Sequence, residues 1–210
     1  MESFSKYRRI QVLAGPAGWC RQRAAEILTR SGIAGALWLG EGGPADCVVL
    51  PAREARRVLG QEFPVLVVDA HAGLDPEALG AASGTVVGGG WLLLLTPPLA
   101  HWGDYPDPEH ARIAVAPLPP AAITGRFLAR LARVLGEHGT AVYTPRTPPP
   151  PTLALAIPPP SDRTTADQQQ AVAAVLRLAR GRARRPLVLT AHRGRGKSVA
   201  LGLAAAELLQ

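Results

Sequence analysis

A chain of 210 residues, 47% of them apolar, suits a soluble globular protein of one large or two small domains. No apolar stretch reaches the ~18 residues of a membrane span, and the opening Met1–Arg9 lacks the apolar core and cleavage site of a signal peptide. The net charge of +7 is uneven: residues 166–210 hold eight basic and two acidic residues (+6), while residues 1–165 hold fifteen and fourteen (+1). That excess favours phosphate, of a nucleotide or a nucleic acid. The plainer reading is a solvated Arg-rich surface in a chain that uses Arg almost exclusively over Lys. Cys20 and Cys47 form no CxxC and have no His at ligand spacing, which points to a reducing cytoplasm and buried thiols.

In chain order, Arg9–Ala14 reads as a first strand, stopped by Gly15-Pro16. Trp19–Arg30 has helical spacing, with Ser31-Gly32 as its stop. Gly35–Leu39 is a second strand. Pro51–Gly60 reads as a short helix, with Pro in its first turn and Gly at its end. Val65–Asp69 is a continuous apolar run, as for a strand buried on both faces. Asp75-Pro76 opens another helix, and Trp91–Thr96 is the next buried strand. This alternation predicts right-handed βαβ units and a doubly wound, mostly parallel α/β sheet. Residues 97–120 read as loop. Ala121–Gly136 reads as a helix with Phe127, Leu128, Leu131 and Leu135 inward and Arg126, Arg130 and Arg133 outward, and Thr140–Tyr143 as a last strand.

Composition then changes. The runs Pro148–Pro151 and Pro158–Pro160 favour extended polyproline geometry, so residues 146–163 read as a linker. The expected domains are 1–145, folding alone, and 164–210, the start of a second α/β unit. In the second unit Ala166–Arg180 is a helix and Pro186–Thr190 an apolar run of strand length. A Gly-rich loop follows to Ser198, and then an Ala/Leu-rich helix.

That loop ends as a Walker A motif, Gly196-Lys197-Ser198, with Ala191 where the pattern has its first Gly. Ala there asks only that the position avoid positive φ. Gly194 and Gly196 let the backbone from Arg193 and Arg195 to Ser198 turn its N–H groups toward phosphate oxygens. Lys197 would reach the β- and γ-phosphates, and the Ser198 hydroxyl would ligate Mg²⁺. The following helix would aim its positive end at the same anion. Gln168, three residues before Ala171-Val172, stands where helicase-type ATPases place a Gln that reads adenine; a solvated Gln run is the alternative. Asp69 and His71 close a buried strand at the edge where open α/β sheets bind ligands. No Ser or Cys nucleophile is placed to use them, so they read first as a structural pair. Gly15-Pro16-Ala17-Gly18 is not a GxGxxG loop, and Pro16 removes an N–H that a phosphate would need.

The stretch Thr190–Ser198 resembles the Walker loop of the tRNA(Met) cytidine acetyltransferases. Gly18-Trp19-Cys20, Leu59–Phe63, Val68–His71, Ala82–Thr85 and Gly90–Leu95 resemble that family's N-terminal domain, and the likeness runs from residue 15 to 210. It implies an enzyme that uses acetyl-CoA to form N4-acetylcytidine at the wobble position of elongator tRNA(Met), helped by a helicase-like module that hydrolyses ATP or GTP with Mg²⁺. It implies that the Walker B, acetyltransferase and tRNA-binding parts fall outside these 210 residues. The chain would then be a fragment or a truncated reading frame, inactive alone, with no catalytic residue to name. The alternative from another class is a non-enzymatic RNA- or protein-docking domain with a vestigial P-loop.

Overall fold

The computed structural model describes residues 7–156, 164–181, 186–191 and 196–209. The chain divides into two compact units, Met1–Pro158 and Pro159–Gln210.

The first unit is built on six strands: β1 (Arg9–Ala14), β2 (Leu37–Leu39), β3 (Val48–Leu50), β4 (Phe63–Asp69), β5 (Val86–Thr96) and β6 (Ala141–Tyr143). They lie in the order β3-β2-β4-β5-β1-β6, and every pairing is parallel. Helix α1 (Ala17–Arg30) covers one face; α2 (Pro76–Ser83) and α4 (Arg126–Glu137) cover the other, and α3 (Glu109–Ile113) is a short helix before α4. The side-chain period of two sorts the core. Leu13, Trp38, Val65, Val67, Leu93 and Leu95 pack toward α1, while Val12, Leu37, Leu66, Val68 and Leu94 pack toward α2 and α4.

The α1 connection carries the chain from β1 to β2, and later connections return over the opposite face. Opposite travel on opposite faces keeps one crossover hand. The connections leaving the neighbours β1 and β5 therefore diverge, which makes their carboxyl ends the switch point of the sheet.

Several elements differ from the sequence expectation. Residues 52–58 form a 3-10 helix, Ala52–Val58. Strand β3 is an extra edge strand, short and part-exposed. Strand β5 starts at Val86, ahead of the expected Trp91, because Gly88-Gly89-Gly90 hides the strand signal. Helix α4 starts at Arg126, and a separate 3-10 turn holds Pro120–Ala122. Phe127, expected inward, is 49% exposed. The buried stripe is Leu128 and Leu135, and the neighbouring position points elsewhere because successive residues are about 100° apart on a helix. Cys20 is buried as expected, whereas Cys47 is half-buried.

The Pro-rich segment after β6 is packed on this unit as far as Ala156. Arg30 donates to the Pro150 carbonyl at 2.7 Å, and the Leu153 N–H donates to Ser31 Oγ at 2.8 Å. Leu153 is 4% exposed and joins the α1-side core. Trp91 Nε1 donates to the Ala154 carbonyl at 3.1 Å.

The second unit holds α5 (Ala166–Arg180) and α6 (Lys197–Leu208). They meet through Leu176, Ala200 and Ala204, with Arg180 3.6 Å from Glu207. The expected strand at 187–190 carries no strand pairing among the described residues, and Val188 is 75% exposed. The second unit has no other described strand for it to pair with, so its sequence preference goes unused.

Candidate nucleotide-binding site

The α5 start is fixed by a capping box. Thr165 Oγ1 accepts from the Gln168 N–H at 3.2 Å, and Gln168 Oε1 accepts from the Thr165 N–H at 2.9 Å. The Thr-x-x-Gln spacing of the capping box is contiguous in the sequence, and it gives Gln168 a structural role beside the expected base-reading one.

Gly196 caps the start of α6 in the left-handed region, at φ +76°. A Cβ built there would stand 2.1 Å from Gln168 Nε2. The backbone angle selects glycine at this position, and the mobile end of the Gln168 side chain rests close against it. Lys197 is the first residue of α6, and its ammonium donates to the Ala191 carbonyl at 2.7 Å. The first turn of α6 holds no acidic side chain, so the helix N-terminus and Lys197 together favour an anion. Ser198 is exposed on the same turn. Arg193, Gly194 and Arg195 lie outside the described residues.

These groups line a cavity of about 790 Å³, shared by Gln168, Thr190, Ala191, Gly196 and Lys197. That volume is within the usual range for a small-molecule site. The donor set suits a nucleotide phosphate: a left-handed Gly at a helix start, a Lys beside it, and a hydroxyl one residue on. Asp167, also on the wall, is a carboxylate that an incoming phosphate would have to avoid.

At the switch point of the first unit the chemistry is already consumed. His71 Nδ1 lies 2.8 Å from Asp69 Oδ1, and Nε2 lies 2.9 Å from the Gly15 carbonyl. Asp69 Oδ2 accepts from Arg21 Nε at 2.6 Å, and the His71 N–H donates to Asp69 Oδ1 at 3.1 Å. The Asp69 side chain is fully buried. Burial pushes its carboxyl up, yet the hydrogen bonds from His71 and Arg21 outweigh burial and hold it below the ordinary value. Gly40, at φ +136°, comes so close that a Cβ there would stand 2.7 Å from Asp69 Cβ. The Gly15 loop is covered as well: its N–H donates to the Thr96 carbonyl at 2.9 Å, and a Cβ on Gly15 would meet Pro145 at 3.1 Å and Trp19 at 3.3 Å.

No activated nucleophile stands nearby. Burial pushes the Cys20 thiol up to about 12, and it donates to the Leu13 carbonyl. The half-buried Cys47 thiol is pushed up to about 11 by the same cause. Asp69 and His71 thus hold the ends of β4 and β1 and the start of α1 together. Arg21 carried no local signal in the sequence, because it lies 48 residues from its partner. Among the described residues no helix is long and apolar enough to cross a membrane.

Comparison with known proteins agrees with this division. Residues 3–145 match the family described as tRNA(Met) cytidine acetyltransferase TmcA, N-terminal. Residues 188–210 match the helicase domain of the RNA cytidine acetyltransferases NAT10/TcmA. A tRNA(Met) cytidine acetyltransferase TmcA from Nitrosococcus halophilus is 44% identical over 98% of this chain and 29% of its own length. Proteins of that name from Citrobacter koseri and Haloarcula marismortui are each 35% identical, over 93% and 96% of this chain. The chain thus spans under a third of the length of these relatives. With its parallel N-terminal sheet followed by a Walker loop, the chain belongs to the tRNA(Met) cytidine acetyltransferase family.

Proposed function

We propose that the protein works in the formation of N4-acetylcytidine at the wobble position of elongator tRNA(Met), supplying the N-terminal domain and the nucleotide-binding loop of an enzyme that uses acetyl-CoA and hydrolyses ATP or GTP. The observation that carries this reading is the left-handed Gly196 at the head of α6, with Lys197 beside it and Gln168 across it, around one cavity. Lys197 would leave the Ala191 carbonyl and neutralise the β- and γ-phosphates. Ser198 would hold the Mg²⁺, which supplies charge neutralisation at the phosphates when bound. The backbone from Arg193 to Ser198 would cradle the phosphates. Gln168 would read the base, which requires its amide to turn away from the Thr165 cap.

The domains we assign are 1–145 for the α/β sheet, 146–163 for the Pro-rich connection and 164–210 for the opening of the ATPase module. The setting is the cytoplasm. None of these 210 residues is assigned to acetyl-CoA.

The test uses a full-length enzyme carrying this sequence, given tRNA(Met), acetyl-CoA and ATP. Lys197→Ala should abolish nucleotide hydrolysis and lower N4-acetylcytidine, read by nucleoside mass spectrometry. Hydrolysis at the wild-type rate would refute the assignment of the phosphate site.

A further inference from the structure

The face of α4 turned from the core carries two exposed arginines close together. Arg126 and Arg130 are both exposed, one turn apart, about 6 Å along the helix axis. Like charges at this spacing repel. Elsewhere on this unit Arg21, Arg23, Arg56, Arg57 and Arg112 each meet a carboxylate. On α4, Arg133 is paired with Glu137 at 2.6 Å. Arg126 and Arg130 have no acidic partner among the described residues, and the first turn of α4 holds no acidic side chain. Beside them stands Phe127, a half-exposed aromatic ring.

The helix itself is firmly seated. Leu128 and Leu135 are buried. A Cβ on Gly125 would come within 2.0 Å of the Gly103 carbonyl oxygen, and a Cβ on Gly103 within 2.8 Å of Ala129 Cβ. The two glycines let the chain before α4 pack directly on the helix start. The arginines and the ring are therefore presented from a fixed element.

We propose that this face of α4 is an RNA-docking surface, with Arg126 and Arg130 on successive phosphates and Phe127 as a platform for a base. Guanidinium forks match phosphate oxygens, and an exposed aromatic ring flanking a cationic face, with Phe127 three residues before Arg130 on the helix surface, is what unpaired RNA binds without sequence preference. An anionic partner removes the repulsion that α4 carries alone. The proposal rests on the tRNA reading above for its choice of RNA over an acidic protein, and it places a contact on the domain that carries no nucleotide site.

The test is fluorescence anisotropy of the whole chain with a short unstructured ribo-oligonucleotide across a salt series. Arg126→Glu with Arg130→Glu should weaken binding roughly tenfold and flatten the slope of log K against log salt by about 1.4, at ~0.7 per phosphate contact. Phe127→Ala should weaken binding with the slope unchanged, because stacking releases no counterions. Arg53→Glu, an exposed arginine outside α4, should leave both unchanged. Thermal melts verify folding, and the Gln pair replaces the Glu pair if reversal unfolds the unit. Wild-type affinity and slope in the double variant overturn the proposal and leave an acidic protein as the occupant of the face. Titration of the same samples with a fluorescent ATP analogue reports Lys197 separately, so a failed nucleotide site and a failed RNA face give different results.

Discussion

Leu153 gives the sharpest test of the first unit, because it lies in a segment whose composition reads as linker. Its side chain is 4% exposed and shares a core with Leu13, Cys20, Ile27 and Leu28. Leu153→Ala removes three carbons, worth about 2.4 kcal/mol at ~0.8 kcal/mol per methylene. The cavity left behind adds to this. A single strap can settle partly into the gap, so the estimate stays near the lower part of the usual range, about 3 kcal/mol. In a unit of this size that corresponds to a fall in Tm of roughly 6–12 °C. The assay is urea unfolding followed by tryptophan fluorescence. All four tryptophans, Trp19, Trp38, Trp91 and Trp102, lie in the first unit, so the second stays silent. Leu155→Ala is the control: Leu155 is 37% exposed, and its loss should change stability by no more than about 0.5 kcal/mol. Equal midpoints for the two variants would show that the segment does not pack as described.

Asp69→Asn should destabilise the first unit by about 3 kcal/mol at neutral pH, since it leaves the buried His71 ring and the part-exposed Arg21 guanidinium without their carboxylate; a loss under 1 kcal/mol would return the pair to the candidate functional residues. The same carboxyl sets an acid limb. Its folded-state value is depressed, so its contribution is present above the unfolded value near pH ~3.9 and is lost as pH falls through the folded one; the gap between wild type and Asp69→Asn should therefore close only below about pH 4 in urea titrations. Gly196→Ala should weaken binding of a fluorescent ATP analogue about tenfold or more, because left-handed backbone costs ~1–2 kcal/mol and the new Cβ displaces the Gln168 amide; unchanged affinity would show that the loop binds without this geometry. Hydrogen exchange should find the amides of 187–190 weakly protected and those of 65–69 protected to the global limit; equal protection would mean that the second unit is more self-sufficient than its unpaired segment shows.

The sequence made the parallel architecture legible where burial left a strong pattern. Val65–Asp69 has no polar residue before its last, and only a strand covered on both faces tolerates that run. The same holds for Trp91–Thr96. Legibility failed where the signal was not local. Val48–Leu50, two of whose three residues are exposed, joins the sheet only because Leu37–Leu39 offers an edge. The glycines before Trp91 suppress strand propensity, while Gly90 lies where a Cβ would stand 2.5 Å from the Pro64 carbonyl oxygen, so β4 itself demands the glycine. The Pro-rich segment reads as a linker because its composition favours extended polyproline geometry. Its carbonyls at Pro150 and Ala154 and the buried side chain of Leu153 make the contacts to the first unit. In the site, the Walker pattern is contiguous and thus readable, and so was the Thr165–Gln168 spacing. The third partner of Asp69 was not, because sequence separation hides it.

The two units differ in what they leave for a ligand. At the switch point of the first sheet, an incoming phosphate would meet Asp69, a buried carboxylate held ionised by Arg21 and His71. To use Arg21 or His71 it would have to displace that carboxylate, and stranding a buried charge costs about 3–5 kcal/mol. It would also have to move Trp19 and Pro145 from the Gly15 loop. Mobilising Lys197 in the second unit breaks its hydrogen bond to the Ala191 carbonyl, a neutral acceptor at an exposed position. A hydrogen bond donated by an ammonium is worth about 1.5–3 kcal/mol, and a contact to phosphate replaces it with a bond between two charged groups. Displacing a buried carboxylate is the greater obstacle, which favours the second unit over the first as the proposed nucleotide site. The first unit uses its edge charges to hold β1, β4 and α1 together, which leaves its outer faces for the proposed RNA contact.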